Sequence, residues 1–536
     1  MATPTMPDKP SSDYDLMRPY WRKVQAVTEG LEAMRAGGTE FLPKFESEDQ
    51  AQYDARVANA RFTNIYSDIV ENLADRPFAK EVSITAGSET VKKLAEDIDG
   101  QGNNLHNFLH TYFRNAIDYS VDWIYVDYTR VNPETTDASG QVRRKSVAEE
   151  RASGARPYWV RVPALEMIAV YSAVINGNED FVHCRMLERR KIRAGWDEVE
   201  VVQVRELNRE PIFDADGNII MWGNATFRVW EQKDQRIEQG RRHVTKKNVW
   251  TIVDEGDLAI GVIPIVPLVI GERKGTTWQI IPAMKSCLDL QLEYYEDENG
   301  LKNIKKLTAY PMLTASGVEP ERDDKGGIKR APVGPRATLY APPGEGGPGN
   351  WSFIEPAGSS LTFLRGELDS MEDHLRELGR QPLTAQSGNI TSITAGSAAT
   401  KGNSAIQRWA LACKDAAENA MFYTALWLKE TLEPTVQVFT DFALDGAGEA
   451  GMTDLLKMRA DGDLSQETLW DEAKRRKVLS DEFDPKKEVT RLEDEMPSDD
   501  ELNASLLPGQ IDPRTGRPFE PEEDEEETTS PDPDEE

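Results

Sequence analysis

The sequence predicts an α+β fold. Three observations carry this: apolar residues recur at helical spacing through the N-terminal part, a β-rich section follows, and beyond Pro282 long helical runs flank a Gly/Pro-rich insert. At roughly 100–200 residues per domain, 536 residues predict two to four domains. A chain of that length buries a large core without disulfide or metal staples.

Residues 1–13 are rich in Pro, Ser and Asp and are expected to be disordered. From Tyr14 the spacing of Leu16, Tyr20, Val24, Val27 and Leu31 predicts a helix that Gly37-Gly38 ends. A second helical region is expected over 47–73, carrying Tyr53, Val57, Ala60, Phe62, Ile65 and Ile69. Further helices are expected over 88–98 and 104–119. Val121-Asp-Trp-Ile-Tyr-Val-Asp-Tyr128 then reads as a strand, and 132–155 as a polar surface loop. Strands are expected at 158–162, 168–171, 181–187, 199–207, 227–232, 249–254 and 263–270. Asp214-Ala-Asp-Gly-Asn218 predicts a hairpin turn with Gly217 at positive φ.

After Pro282, residues 283–306 predict a helix of roughly 36 Å, at 1.5 Å per residue. Short strands are expected at 312–315, 337–340 and 351–354 within the Gly/Pro-rich stretch 317–358. A second long helix is expected over 360–378, then a small-residue polar loop over 384–403, then a third long helix over 404–432. A strand at 436–439 and short helices at 450–460, 466–476 and 486–494 complete the pattern. Beyond Pro497 the chain is acidic and Pro-rich, and is expected to be disordered.

The net charge is −31, and the 44 residues from Glu493 to Glu536 hold 18 acids against two arginines, about half of that excess. A protein that grips duplex DNA through its phosphates carries a basic patch. This chain is therefore expected not to hold DNA tightly, although it could let DNA pass. Cys184, Cys287 and Cys413 form no C-x-x-C pair, which argues against a zinc ribbon and against a secreted disulfide framework. A reducing cytoplasm is the expected compartment of assembly. The first residues lack a signal-peptide pattern, and no apolar run approaches 18 residues, so no membrane span is expected.

The motifs that could carry chemistry are weak. His106 and His110 sit at i, i+4, but no Glu occupies the H-E-x-x-H position and no third ligand is evident, so a partly buried pair on an amphipathic helix is the stronger reading. Asp214-x-Asp216-Gly-Asn218 lacks the closing Glu of a calcium loop. The glycines at 344–349 do not form G-x-x-x-x-G-K-[ST], and no G-x-S-x-G elbow occurs. Trp409, Phe422 and Trp427 read as a core stripe between helices. No catalytic residue, metal site or cofactor is expected.

The order of sections resembles that of tailed-bacteriophage portal proteins. Local wording adds to it. Residues 30–43 with Tyr53-Asp-Ala-Arg-Val-Ala-Asn-Ala-Arg-Phe62 are similar to the start of a portal-like family of uncharacterised-domain type. So are Tyr310-Pro-Met-Leu-Thr-Ala-Ser-Gly317, Glu372-Asp-His-Leu-Arg-Glu-Leu-Gly379, and Leu455–Ser465 with Arg491-Leu-Glu493. The resemblance spans about residues 14–496, and the order of its pieces carries more weight than any one of them.

The resemblance implies a portal fold with an α/β wing, long stem helices, a small α/β clip and a helical crown. Mapped onto this chain, a disordered arm (1–13) precedes the wing (14–281), a stem helix (282–308), the clip (309–358) and a second stem helix (359–380). A channel loop (381–403), a long return helix (404–433), a crown-like segment (434–496) and the acidic tail (497–536) follow. It implies a homo-oligomeric ring, a dodecamer, at one capsid vertex of the virion, assembled in the host cytoplasm. Expected partners are the terminase large subunit, the head-completion adaptor, the major capsid protein, scaffold, and transient non-specific double-stranded DNA. Ser387, Asn389, Ile390, Thr391, Ser392, Ile393, Thr394 and Lys401 would face that DNA from the channel loop. Asp289, Glu293 and Glu296 would line the stem, with Lys302, Lys305 and Lys306 as a basic step below. Arg322, Lys325, Lys329, Arg330 and Arg336 of the clip would meet the motor or adaptor. Two other readings remain: a different virion structural protein, such as a scaffold or adaptor, and an acidic cytoplasmic enzyme.

Overall fold

The computed structural model describes residues 6–46, 48–129, 152–175, 177–217, 219–239, 242–308, 359–379, 392–431, 434–440, 455–475 and 483–495, with the short stretches 134–136, 142–144, 312–316, 338–341 and 350–354 and single residues 149 and 479. The chain is mixed α+β and divides into two compact units, 1–442 and 443–536.

Helix α1 (Ser12–Glu29) starts where Ser11 Oγ accepts from the Tyr14 amide, with Asp13 and Asp15 favourably placed in its first turn. It ends at Gly30, whose φ of +86° reverses the chain. The buried face is Met17, Trp21, Val24 and Val27, whereas Leu16 is 62% exposed. The spacing of apolar residues located the helix and its inner Val24 and Val27, but in the first half the inner residues are Met17 and Trp21, one position after Leu16 and Tyr20. Trp21 Nε1 donates to the Tyr119 carbonyl at 2.8 Å and the Tyr20 hydroxyl to the Asp118 carbonyl at 3.0 Å, fastening α1 to the end of a later helix.

After α2 (Leu31–Gly37), the helical region expected over 47–73 is two helices, α3 (Gln50–Ala58) and α4 (Ile65–Asp75). Asp49 and Gln52 form a capping box on α3, and Asn64 caps α4. Strand β1 (Ser83–Ala86), α5 (Glu89–Leu94) and α6 (Leu105–Tyr119) follow. Ser120, at φ +69°, turns the chain from α6 into β2 (Val121–Tyr128).

β2 is the centre of an antiparallel three-stranded sheet, and all but its last residue are buried. A short hairpin, β3 (Glu134–Thr136) and β4 (Val142–Arg144), lies within the stretch expected as loop. The partners of β2 are β5 (Pro157–Val162) on one side and, much later in the chain, a strand at Ile265–Val269 on the other. Between them run β6 (Met167–Ile175), β7 (Asn178–Ala194), β8 (Asp197–Asn208), β9 (Pro211–Phe213), β10 (Ile219–Trp222), β11 (Thr226–Gln239) and β12 (Arg242–Asp257). Five of these form an antiparallel sheet in the order β12-β11-β8-β7-β6. Several strands are longer than apolar content alone predicts, because β7, β8, β11 and β12 continue as charged hairpins. The β9/β10 hairpin has the expected turn: Gly217 sits at φ +85° and Asp214 Oδ1 accepts from the Asp216 amide. Ile265–Val269 is β13, followed by the small pair β14 (Gly271–Arg273) and β15 (Ile280–Pro282).

Helix α7 (Lys285–Thr308), strands β16 (Met312–Ser316), β17 (Thr338–Ala341) and β18 (Asn350–Ile354), and helices α8 (Ser359–Leu378) and α9 (Ser392–Leu428) complete the section beyond Pro282. The three strands fall where the sequence puts them and join in one mixed sheet, with β16 central, parallel to β17 and antiparallel to β18. β19 (Thr435–Gln437) pairs with β1, so the first unit takes in Val436 and Val438, which the sequence groups with the C-terminal segment. The second unit has a helical turn at 455–460, then α10 (Gln466–Arg475) and α11 (Pro485–Glu495), with Trp470 edge-on to Phe483 at 5.6 Å.

Arg205 of β8 joins the two larger sheets. Its Nη1 lies 3.1 Å from Asp127 Oδ2 of β2, its Nε lies 2.8 Å from Glu188 Oε1 of β7, and its guanidinium covers the Tyr125 ring. Asp127 is buried and also accepts from the Tyr125 and Tyr158 hydroxyls. Removing one member of a buried ion pair leaves the other charge without compensation. Arg205→Ala is therefore expected to destabilise the protein by about 3–5 kcal/mol in urea unfolding; a change under about 1 kcal/mol would show that the pair does not tie the sheets.

Candidate functional site

The long helix α7 has one face that is locked and one that is free. The inner face is Cys287, Leu288, Gln291, Tyr294, Tyr295 and Asn299, all buried, at helical spacing. Two of these are amides, and both bind backbone. Gln291, fully buried, accepts through Oε1 from the Ile65 and Tyr66 amides at 3.0 and 2.9 Å and donates through Nε2 to the Thr63 carbonyl at 3.0 Å. Asn299 pairs with both backbone groups of Arg61, at 2.8 and 2.9 Å. Glu298 accepts from the Thr63 hydroxyl and amide and lies 3.2 Å from Arg61 Nε. Lys302 Nζ donates to the Asn59 carbonyl at 2.5 Å.

These contacts explain why the helix expected over 47–73 is broken. The first amides of a helix have no partner within it. Gln291 accepts from those of Ile65 and Tyr66, Asn64 from that of Ser67, and Asn299 and Glu298 bind the intervening segment at Arg61 and Thr63. Nothing in the local spacing of 59–64 signals this, because the partner is more than 220 residues away in the chain.

The outer face of α7 carries Asp289, Glu293 and Glu296, all exposed, with Asp297 beside them and Lys305 further on. Only Asp289 among these acids has an ion-pair contact within the described residues, Lys23 Nζ at 3.8 Å. α8 packs antiparallel to α7. Cys287 Sγ faces the Leu375 carbonyl, while Tyr294, further along α7, feels Glu372 and Asp369, earlier in α8. Burial raises the Tyr294 hydroxyl pKa, and the charges of Glu298, Glu372 and Asp369 add to it. Arg376 fixes α8 by bridging Glu372 and Asp68 of α4, both at 3.1 Å. At Gly379 a Cβ would lie 2.4 Å from Ile69 Cγ2, so the end of α8 passes α4 with no room for a side chain.

α9 spans the β2 sheet. Trp427 Nε1 donates to the Val126 carbonyl at 3.0 Å, and Trp159 Nε1 of β5 donates to Thr424 Oγ1 at 2.9 Å. Trp409 is buried, as expected of a core stripe, but Phe422 is 42% exposed and does not belong to that stripe.

The sequence-predicted residues divide accordingly. Asp289, Glu293 and Glu296 share one exposed face of α7. Of the expected basic step, Lys302 donates to the Asn59 carbonyl, Lys305 is exposed, and the side chain of Lys306 lies outside the described residues. The loop expected over 381–403 ends earlier than predicted. α9 begins at Ser392, so Ser392, Ile393, Thr394 and Lys401 are on helical backbone rather than in a loop. Small residues such as Ala395, Ala398 and Ala399 read as flexible in isolation, yet alanine is the strongest helix former. Ser387, Asn389, Ile390 and Thr391 lie outside the described residues, as do Arg322, Lys325, Lys329, Arg330 and Arg336.

His106 and His110 flank Phe78, each edge-on to its ring, and each has its own partner: His106 Nδ1 accepts from the Val82 amide and His110 Nε2 lies 2.8 Å from Asp75 Oδ1. Among the described residues no cluster of His, Cys, Asp or Glu is arranged to hold a metal ion, and no helix is long and apolar enough to cross a membrane.

Sequence reasoning missed Gln291, Asn299 and Glu298, because isolated polar residues on a long helix look like its solvated side. It also missed two buried acids that bracket the turn at Ser120. Burial pushes the carboxyl of Asp118 up to about 7 against the opposing pull of Arg114 and Tyr66. Burial does the same to Asp122, also up to about 7, although Arg161 lies 3.1 Å away.

The geometry defines an α+β protein in which a helix pair, joined through a small sheet, presents acids outward from a locked base. Residues 286–428 match a protein-family model described as a domain of unknown function (DUF4055). The match covers roughly a quarter of the chain and takes in α7, the three-stranded sheet, α8 and α9. No curated protein matches the chain.

Gln291→Leu removes three hydrogen bonds, leaves the Tyr66 amide without a partner and leaves the Ile65 amide only its 3.2 Å contact to the Thr63 carbonyl, so a loss of about 2–4 kcal/mol in urea unfolding is expected; a neutral effect would contradict the lock. Asp118 gives a pH dependence. Its folded pKa exceeds the unfolded value of about 3.9, so the unfolded chain ionises first and stability falls as pH rises from about 4 to about 7. Asp118→Asn is expected to raise the thermal midpoint at pH 8 and to leave it unchanged near pH 4; a difference independent of pH would refute this assignment.

Proposed function

We propose that this chain is the subunit of a bacteriophage portal ring, the channel through which DNA enters and leaves the capsid. The observation that carries the reading is the antiparallel pair α7 and α8, continuous with a small mixed sheet at one end and locked to the first unit's core at the other. In this reading α7 and α8 are the stem, the β16–β18 sheet is the clip, α9 is the return helix, and residues before Pro282 form the wing. Asp289, Glu293 and Glu296 then face the channel. An acidic wall gives DNA phosphates no counter-charge to bind, so DNA slides instead of sticking. The chain's overall acidity serves the same end.

The function is mechanical. ATP hydrolysis belongs to the terminase that docks on the clip, and the head-completion adaptor takes its place after packaging. A ring of identical subunits needs a heterologous interface, in which one surface of a copy meets a different surface of the next. Negative-stain microscopy of the purified protein, with mass by light scattering, tests this. Rings with a central hole are expected; a compact monomer or dimer at high concentration would count against the proposal.

A further inference from the structure

The β7/β8 hairpin extends beyond the sheet it belongs to. β6 pairs with β7 only as far as Met186, and β11 pairs with β8 only from Gln203 onward. Residues 189–202 are therefore a two-stranded ribbon, paired internally from Arg189↔Val202 to Ala194↔Asp197 and, among the described residues, free along both edges. An isolated two-stranded ribbon is marginally stable in water. A free edge also presents unpaired amides and carbonyls that invite another strand.

The two edges carry opposite charge. On one face β7 presents Arg189, Lys191 and Arg193, while β8 presents Glu198 and Glu200. On the other face Ile192 and Val199 sit opposite each other, 50% and 45% exposed, with Val201 alongside, opposite Arg190. Trp196 at the tip is 96% exposed beneath the Arg193 guanidinium. Charged residues on an edge strand usually prevent pairing. Here they are segregated, so β7 edges repel each other, β8 edges repel each other, and a β7 edge attracts a β8 edge.

We infer that this ribbon is a contact between copies of the chain, the β7 edge of one lying antiparallel beside the β8 edge of the next. Because unlike edges meet, the contact is heterologous and propagates around a ring instead of closing a pair. Arg189, Lys191 and Arg193 of one copy then alternate with Glu198 and Glu200 of its neighbour, and Ile192 and Val199 join in a continuous apolar belt on the opposite face. The inference rests on the ring reading and names one surface that builds it.

Cysteine cross-linking tests it, with no background from Cys184, Cys287 and Cys413, which are buried. Lys191→Cys and Glu200→Cys chains, differently tagged, are co-expressed, and the assembly is oxidised. Neighbouring strands lie about 4.8 Å apart, within disulfide reach, whereas two β7 edges in the proposed order are about 10 Å apart and beyond it. A shift from one-chain to two-chain mass on a non-reducing gel is expected only when both variants are present. Rings that yield one-chain bands alone would overturn the contact and leave the ring reading intact. A disulfide between two Lys191→Cys chains would show like edges meeting and overturn the heterologous pairing. Absence of any ring would remove the reading on which the inference rests.

Discussion

The amide of Gln291 holds the rest of this structure in place. It supplies two acceptor contacts to the first amides of α4 and one donor contact to Thr63, all inside the protein and away from water. Buried backbone groups must be paired, and α7 supplies the acceptor for the Ile65 and Tyr66 amides while the Asn64 cap takes that of Ser67. In return, the break fixes the rotation of α7 about its own axis. With Gln291 and Asn299 turned inward, Asp289, Glu293 and Glu296 have no choice but to face outward. The charge on the free face and the polarity of the buried face are therefore one constraint, not two.

Ionic groups inside the first unit follow a related logic. Asp127 is held by Arg205 and three hydrogen-bond donors, so it joins two sheets. Asp118 and Asp122, on either side of the Ser120 turn, have less compensation, and burial keeps their carboxyls protonated to higher pH. The most strongly charged segments lie elsewhere, on the exposed face of α7 and α8, on the β7/β8 ribbon and in the C-terminal tail.

Much of the fold was legible from local pattern. The long helices, the three short strands between them, the α6-to-β2 transition and the Asp214–Asn218 turn all follow from spacing, capping or turn residues within a few positions of each other. What was not legible depends on distant partners. Leu16 looked like part of α1's inner face, yet the position of α1 is set by Trp21 and Tyr20 reaching the end of α6. Residues 59–64 looked helical, yet they lie between two helices, bound at Arg61 and Thr63 by Asn299 and Glu298. Of the candidate site, Asp289, Glu293 and Glu296 were named through the resemblance, and their common exposed face comes from the structure. The loop before α9 was read too long, since small polar residues do not by themselves distinguish a loop from an alanine-rich helix start.

The most direct test of this account is hydrogen exchange on the intact protein, followed by mass spectrometry of peptides from 61–67 and 287–300. If the buried amides of α7 hold the broken helix, the Ile65 and Tyr66 amides exchange as slowly as those of the β2 core. If those two amides exchange as fast as an exposed turn, α7 is not locked, its acidic face has no fixed direction, and the account fails at its base.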